Sequence, residues 1–88
     1  MPKITIYTGI NCPFCEKAVD LINKLGQSYS LLNVQTNLEA RETFLKLCAE
    51  PGQQQTVPKI VINDTLISGF DELQHLADTG ALITILEN

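Results

Sequence analysis

No stretch of this chain approaches the ~20 consecutive apolar residues needed for a bilayer-spanning helix, and its start is not signal-like. Neither a membrane protein nor a secreted one is expected. Cysteine is scarce: there are three in 88 residues, an odd number that fits a reducing, cytoplasmic compartment better than a disulfide scaffold. Positive charge is short as well, with six Lys and Arg against ten Asp and Glu and a net charge of -4. That balance speaks against broad binding of nucleic acid or an anionic membrane, while leaving small ligands open. There is no internal repeat, linker or low-complexity tract. What is present suffices for one modest core: 44% of the residues are hydrophobic, so a single domain over residues 1–88 can fold without metal or several disulfides.

Two of the three cysteines stand close together, in Cys12-Pro13-Phe14-Cys15. Residues 3–8 are β-branched and aromatic, which predicts a strand, and residues 14–25 place Phe14, Ala18, Leu21, Ile22 and Leu25 at helical spacing. The pair therefore falls at a strand-to-helix junction. Pro13 suits the first helical position, where its missing N–H costs nothing, and this makes Cys12 the predicted N-cap. A sulfur there faces free backbone N–H groups and the positive end of the helix dipole, which favour thiolate over thiol. Cys12 is the predicted nucleophile. Cys15, inside the first turn, is more buried yet near enough to attack a mixed disulfide on Cys12, and is the predicted resolving thiol. A zinc site would need a second closely spaced ligand pair, and the remaining candidates, Cys48 and His75, are single residues in separate predicted helices. No metal is expected.

Further along, elements alternate. Gly26 reads as a helix stop and residues 29–34 as a second strand, parallel to the first because the intervening helix can cross over. Asn37 is a predicted cap for a helix to about Ala49, ended by Pro51-Gly52. Pro58 opens a strand over residues 59–62, and Asn63-Asp64 is a tight-turn signal leading into a hairpin partner at 65–67. Asp71 is a predicted cap for a helix carrying Leu73, Leu76 and Ala77, which Gly80 stops; residues 81–87 read as a last short helix, with strand as the other possibility. Cys48 is most simply a small buried hydrophobe, His75 a surface or half-buried side chain, and Tyr7 either a core aromatic or a border of the active cysteine.

The order βαβα then ββα around Cys12-Pro13-Phe14-Cys15, with Thr56-Val57-Pro58 and Gly69-Phe70-Asp71 at the proper separations and Ile6-Tyr7-Thr8 before the site, resembles the glutaredoxins from end to end. The resemblance implies an α/β, thioredoxin-like fold with a four-stranded mixed sheet flanked by helices. It implies a thiol–disulfide oxidoreductase with glutathione as reducing cosubstrate, and disulfide-containing or glutathionylated proteins as partners. By position, Pro58 matches the family's cis-proline after Thr56-Val57, which offers the Val57 backbone to a glutathione or peptide backbone. Gly69, Phe70 and Asp71 match the segment that takes the γ-glutamyl end, and Phe14 gives the site an aromatic rim.

Departures from the family pattern shape the alternatives. The family's Lys two residues after the strand tyrosine is here Gly9, so one positive charge near the ligand is missing; Lys17, Lys59 or the amides of Gln53, Gln54 and Gln55 are candidates to compensate, although both lysines read more simply as solvated side chains. Ser68 replaces a glycine, and Ser68-Gly69-Phe70 looks like the triplet of small redoxins that are reduced by thioredoxin reductase and feed ribonucleotide reductase. Those proteins usually lack a proline after the first cysteine. A carrier of an iron–sulfur cluster shared between two chains through Cys12 is a further alternative, and Pro13 argues against it.

Overall fold

Strand β1, Ile4–Thr8, is an inner strand of the sheet and carries the chain directly into the cysteine loop. In the computed structural model, which describes residues 3–87, the strand order is β2-β1-β3-β4, with β2 at Ser30–Asn33, β3 at Lys59–Ile62 and β4 at Thr65–Ile67. β1 and β2 run parallel with Thr5 beside Ser30, as the crossover through α1 (Pro13–Lys24) requires. β3 is antiparallel to both β1 and β4. The mixed sheet expected from the order of elements is the one observed. Asn63 and Asp64 adopt φ of 48° and 69°, the positive values at both central positions that a two-residue hairpin favours.

Alternation along the strands sorts the core into two clusters. Ile4 and Ile6 of β1, Ile60 and Ile62 of β3 and Ile67 of β4 bury one face against Ala18 and Ile22 of α1, Leu73 of α3 (Phe70–Thr79) and Leu82 and Leu86 of α4 (Ala81–Glu87). Tyr7, one residue out of phase with Ile6, belongs to the second cluster, with Val34 and with Ala40, Phe44 and Cys48 of α2 (Leu38–Cys48). Both faces of the inner strands are thus covered. Asn37 caps α2 as its side chain predicts, accepting from the Ala40 N–H at 3.0 Å. Gly80, at φ 82°, supplies the left-handed residue that turns α3 into α4, which settles residues 81–87 as helix. Among the described residues no helix is long and apolar enough to cross a membrane.

Two local expectations need correction. Asp71 is not the N-cap of α3: the helix begins at Phe70 with extended Gly69 before it. Its entry is closed by Glu72, whose carboxylate accepts from the Ser68 N–H at 3.1 Å and from the Ser68 hydroxyl. That arrangement is the backward-reaching half of a capping box, displaced by one residue, and it leaves Asp71 exposed in the first turn. Lys59 is not a solvated lysine either. It sits on inner strand β3 opposite Tyr7 and is only 1% exposed.

Candidate active site

Cys12 is the N-cap of α1 and Pro13 occupies its first turn, as their order in the chain demands. The Cys15 N–H donates to Cys12 Sγ at 3.2 Å, so the sulfur does the capping that an oxygen does in Ser, Thr or Asp. The two sulfurs are joined in a disulfide, with Cα atoms 5.2 Å apart. Cys12 is half-buried whereas Cys15 is 3% exposed. This difference in access fits an attacking thiol at position 12 and a resolving thiol at position 15.

The cis Val57-Pro58 bond and the start of β3 bring a second loop to the dithiol, with the Val57 carbonyl oxygen 3.9 Å from Cys12 Sγ. Beside it lies a cavity of about 280 Å³ lined by Phe14, Thr56, Val57, Pro58, Gly69, Phe70 and Asp71, together with Ser68 and Glu72. Phe14, Thr56 to Pro58 and Gly69 to Asp71, the positions the family resemblance marks for ligand contact, all border this one hollow, whereas Tyr7, Lys17, Lys59 and His75 do not. The Phe14 and Phe70 rings and Pro58 share its lining with polar side chains, and one wall is the N-terminal turn of α3, whose first N–H groups have no carbonyl to bond within the helix. Such N–H groups favour an anionic group, although the Asp71 and Glu72 carboxylates stand in the same turn. The exposed Phe14 ring faces Phe70 at 6.3 Å between centroids, and Lys17 Nζ stands 5.1 Å from the Phe14 centroid and 5.9 Å from that of Phe70. Lys17 therefore spans the aromatic rim by cation–π contact. Cys12 and Cys15 themselves line a separate hollow of about 430 Å³ with Gly9, Asn11, Glu16, Asp20 and Leu31.

Gly9 acquires a steric meaning. A Cβ there would lie 3.3 Å from Val57 Cγ2 and 3.6 Å from Gln35 Cδ, so a bare backbone lets the end of β1 approach the Val57 loop closely. Gln35 in turn accepts from the Ile10 N–H at 2.7 Å, steadying the segment that leads to Cys12. Gln35 and Glu72 are contributors that sequence reasoning misses; the four-residue spacing from Ser68 to Glu72 is a signal for the second, and none exists for the first.

Tyr7 resolves as a core aromatic, 6% exposed and tilted against Phe44 at 6.4 Å. Burial raises the pKa of its phenol above the ordinary value of 10.0. The unfolded chain then releases this proton first as pH rises, so the native state loses stability from about pH 10 up through the raised native value. Tyr7→Phe is expected to flatten that alkaline decline in urea midpoint; an unchanged slope would refute it. Cys48 is buried at the end of α2, and His75 is exposed on α3, away from the linings of both hollows.

Comparison with known proteins points the same way. The glutaredoxin family model matches residues 4–67. Glutaredoxin 1 of Rickettsia prowazekii is 38% identical over 87 residues, covering 97% of this chain and 87% of that protein. Glutaredoxin 3 of Escherichia coli K12 is 33% identical over 87 residues, covering 99% and 100%. The crystal structure of a buckwheat glutaredoxin–glutathione complex superposes with a TM-score of 0.84 at 22% identity, over 98% of this chain and 77% of that one, a likeness of fold. A capped dithiol on a thioredoxin-like sheet, matched over nearly the whole chain by such relatives, leaves one conclusion: the protein belongs to the glutaredoxin family and is a thiol–disulfide oxidoreductase.

Proposed function

We propose that this oxidoreductase is glutathione-dependent and reduces both glutathione mixed disulfides and protein disulfides. The observation that carries the reading is the hollow beside Cys12, in which the Phe14 and Phe70 rings, the Val57 segment and the positively polarised start of α3 lie side by side. A γ-glutamyl tripeptide offers each of these a partner. Its backbone pairs with Val57, its γ-glutamyl carboxylate meets the first-turn N–H groups of α3, and its ammonium meets the Asp71 carboxylate. That a buckwheat glutaredoxin of the same fold forms a glutathione complex supports glutathione as the ligand.

In the mechanism, the Cys12 thiolate attacks the glutathione sulfur of a mixed disulfide, forms a new S–S bond and expels the substrate as its thiolate. Cys12 is set free when a second glutathione thiolate attacks the glutathione held on it, giving oxidised glutathione. Toward a protein disulfide, Cys12 bonds to one target sulfur and Cys15 then attacks Cys12 Sγ, which releases the reduced target and leaves the Cys12–Cys15 bridge. Two glutathione thiols restore the dithiol. Charge and electrons balance at each exchange, since one thiolate enters and one leaves.

Ser68-Gly69-Phe70 and the closed-in Gly9 favour one second reading, a donor to ribonucleotide reductase recharged by thioredoxin reductase. Reduction of a glutathionylated peptide with NADPH, glutathione and glutathione reductase, run beside thioredoxin reductase alone, separates them. Turnover with glutathione only is expected; turnover with thioredoxin reductase only transfers the protein to the second reading.

A further inference from the structure

Lys59 is the only charged side chain among the described residues that is buried, and a buried cation persists only with good partners. Its ammonium has three donors and finds three acceptors: the Thr56 carbonyl oxygen at 2.9 Å, Thr56 Oγ1 at 3.1 Å and the Ser68 carbonyl oxygen at 2.9 Å. Thr56 and Ser68 belong to different loops, and both line the hollow beside Cys12. One head group ties them together. On the far side, the Glu72 carboxylate holds Ser68 through its N–H and hydroxyl, so a continuous chain of polar contacts runs from Thr56 through Lys59 and Ser68 to the first turn of α3. Burial pulls the Lys59 pKa below its ordinary value, against the neighbouring Cys48 and Glu72 charges that raise it. A well-packed apolar side chain in such a place often serves stability as well or better. The arrangement of acceptors therefore needs another reason.

We propose that Lys59 is a positioning residue for substrate recognition, fixing the separation between the Val57 loop and the start of α3 so that both ends of a bound glutathionyl group are met at once. The inference rests on the glutathione-dependent reading. Lys59 does not line the hollow and acts only through the loops it joins. Its loss should weaken binding more than chemistry, because Cys12 is held by α1 and not by this tie.

Lys59→Met keeps the unbranched stem and removes the ammonium. In the glutathione-coupled assay the KM for a glutathionylated peptide should rise about tenfold with kcat within about twofold of the parent. The rate at which reduced Cys12 reacts with 2,2′-dithiodipyridine, which needs no groove, should stay within the same twofold. Lys59→Gln, which retains two N–H donors, should give an intermediate KM and serves alone if the Met variant does not fold. An unchanged KM in a folded variant overturns the inference while the parent's glutathione turnover stands. Equal losses in the coupled assay and in the dithiodipyridine reaction also overturn it, since they mark a general structural role. A parent inert with glutathione removes the glutathione reading itself, and this inference with it.

Discussion

Cys12→Ser is expected to lose thiol–disulfide exchange by more than about a thousandfold, while Cys15→Ser keeps turnover of glutathione mixed disulfides and loses only the dithiol route to protein disulfides. The asymmetry follows from position. Cys12 is the half-buried N-cap of α1 and receives the Cys15 N–H, whereas Cys15 is enclosed in the first turn. A serine hydroxyl stays protonated at neutral pH and its oxygen forms no disulfide, so Cys12→Ser removes the attacking atom from both routes. In Cys15→Ser that atom remains, and the mixed disulfide on Cys12 waits for an external thiol. Mass spectrometry of Cys15→Ser after reaction with a target disulfide should find the adduct on Cys12. Retained activity in Cys12→Ser, or an adduct on Cys48, would sink the assignment.

Ile60→Ala should produce the largest loss of stability. Ile60 is fully buried on inner strand β3, paired with Ile6 on one side and Ile67 on the other, in the cluster that α1, α3 and α4 cover. Truncating such a side chain forfeits its burial and leaves a cavity that the surrounding strands cannot close, a cost of about 2–5 kcal/mol. Set against total stabilities of roughly 5–15 kcal/mol for domains generally, that is a large share. For a chain of this size it lowers the melting temperature by on the order of 10–30 °C. Urea unfolding with an unchanged slope is the check. Ile83→Ala, at a residue 56% exposed, should stay within about 0.5 kcal/mol of the parent; a comparable loss at both sites would show that burial is not what matters.

How far the structure can be read from the sequence depends on how local each signal is. Pro13 after Cys12, Asn37 before Leu38 and the Asn63-Asp64 pair each act within a few residues, and the junction, the α2 cap and the hairpin all form where they indicate. Lys59 shows the opposite case. Nothing in its neighbourhood marks it for burial, because its partners include the Ser68 carbonyl nine residues away, reached only once β3 and β4 pair. The misplaced cap at Asp71 is a near miss of the same origin: Asp is a good cap by type, yet Glu72 reaching back to Ser68 sets the helix entry instead. The gathering of Phe14, Thr56 to Pro58 and Gly69 to Asp71 around one hollow is beyond any local pattern and enters from the sequence only through family resemblance.

Cys48 gives the molecule a built-in gauge. With the Cys12–Cys15 bridge formed, the remaining thiol is 7% exposed at the end of α2, in the cluster with Tyr7 and Phe44. An alkylating reagent added to the oxidised protein can react only when that corner opens. When reclosing is fast, the labelling rate follows the open population; at high reagent it approaches the opening rate itself. The thiol that takes no part in the exchange chemistry thus reports, without a probe being introduced, how firmly the α2 side of the sheet is held.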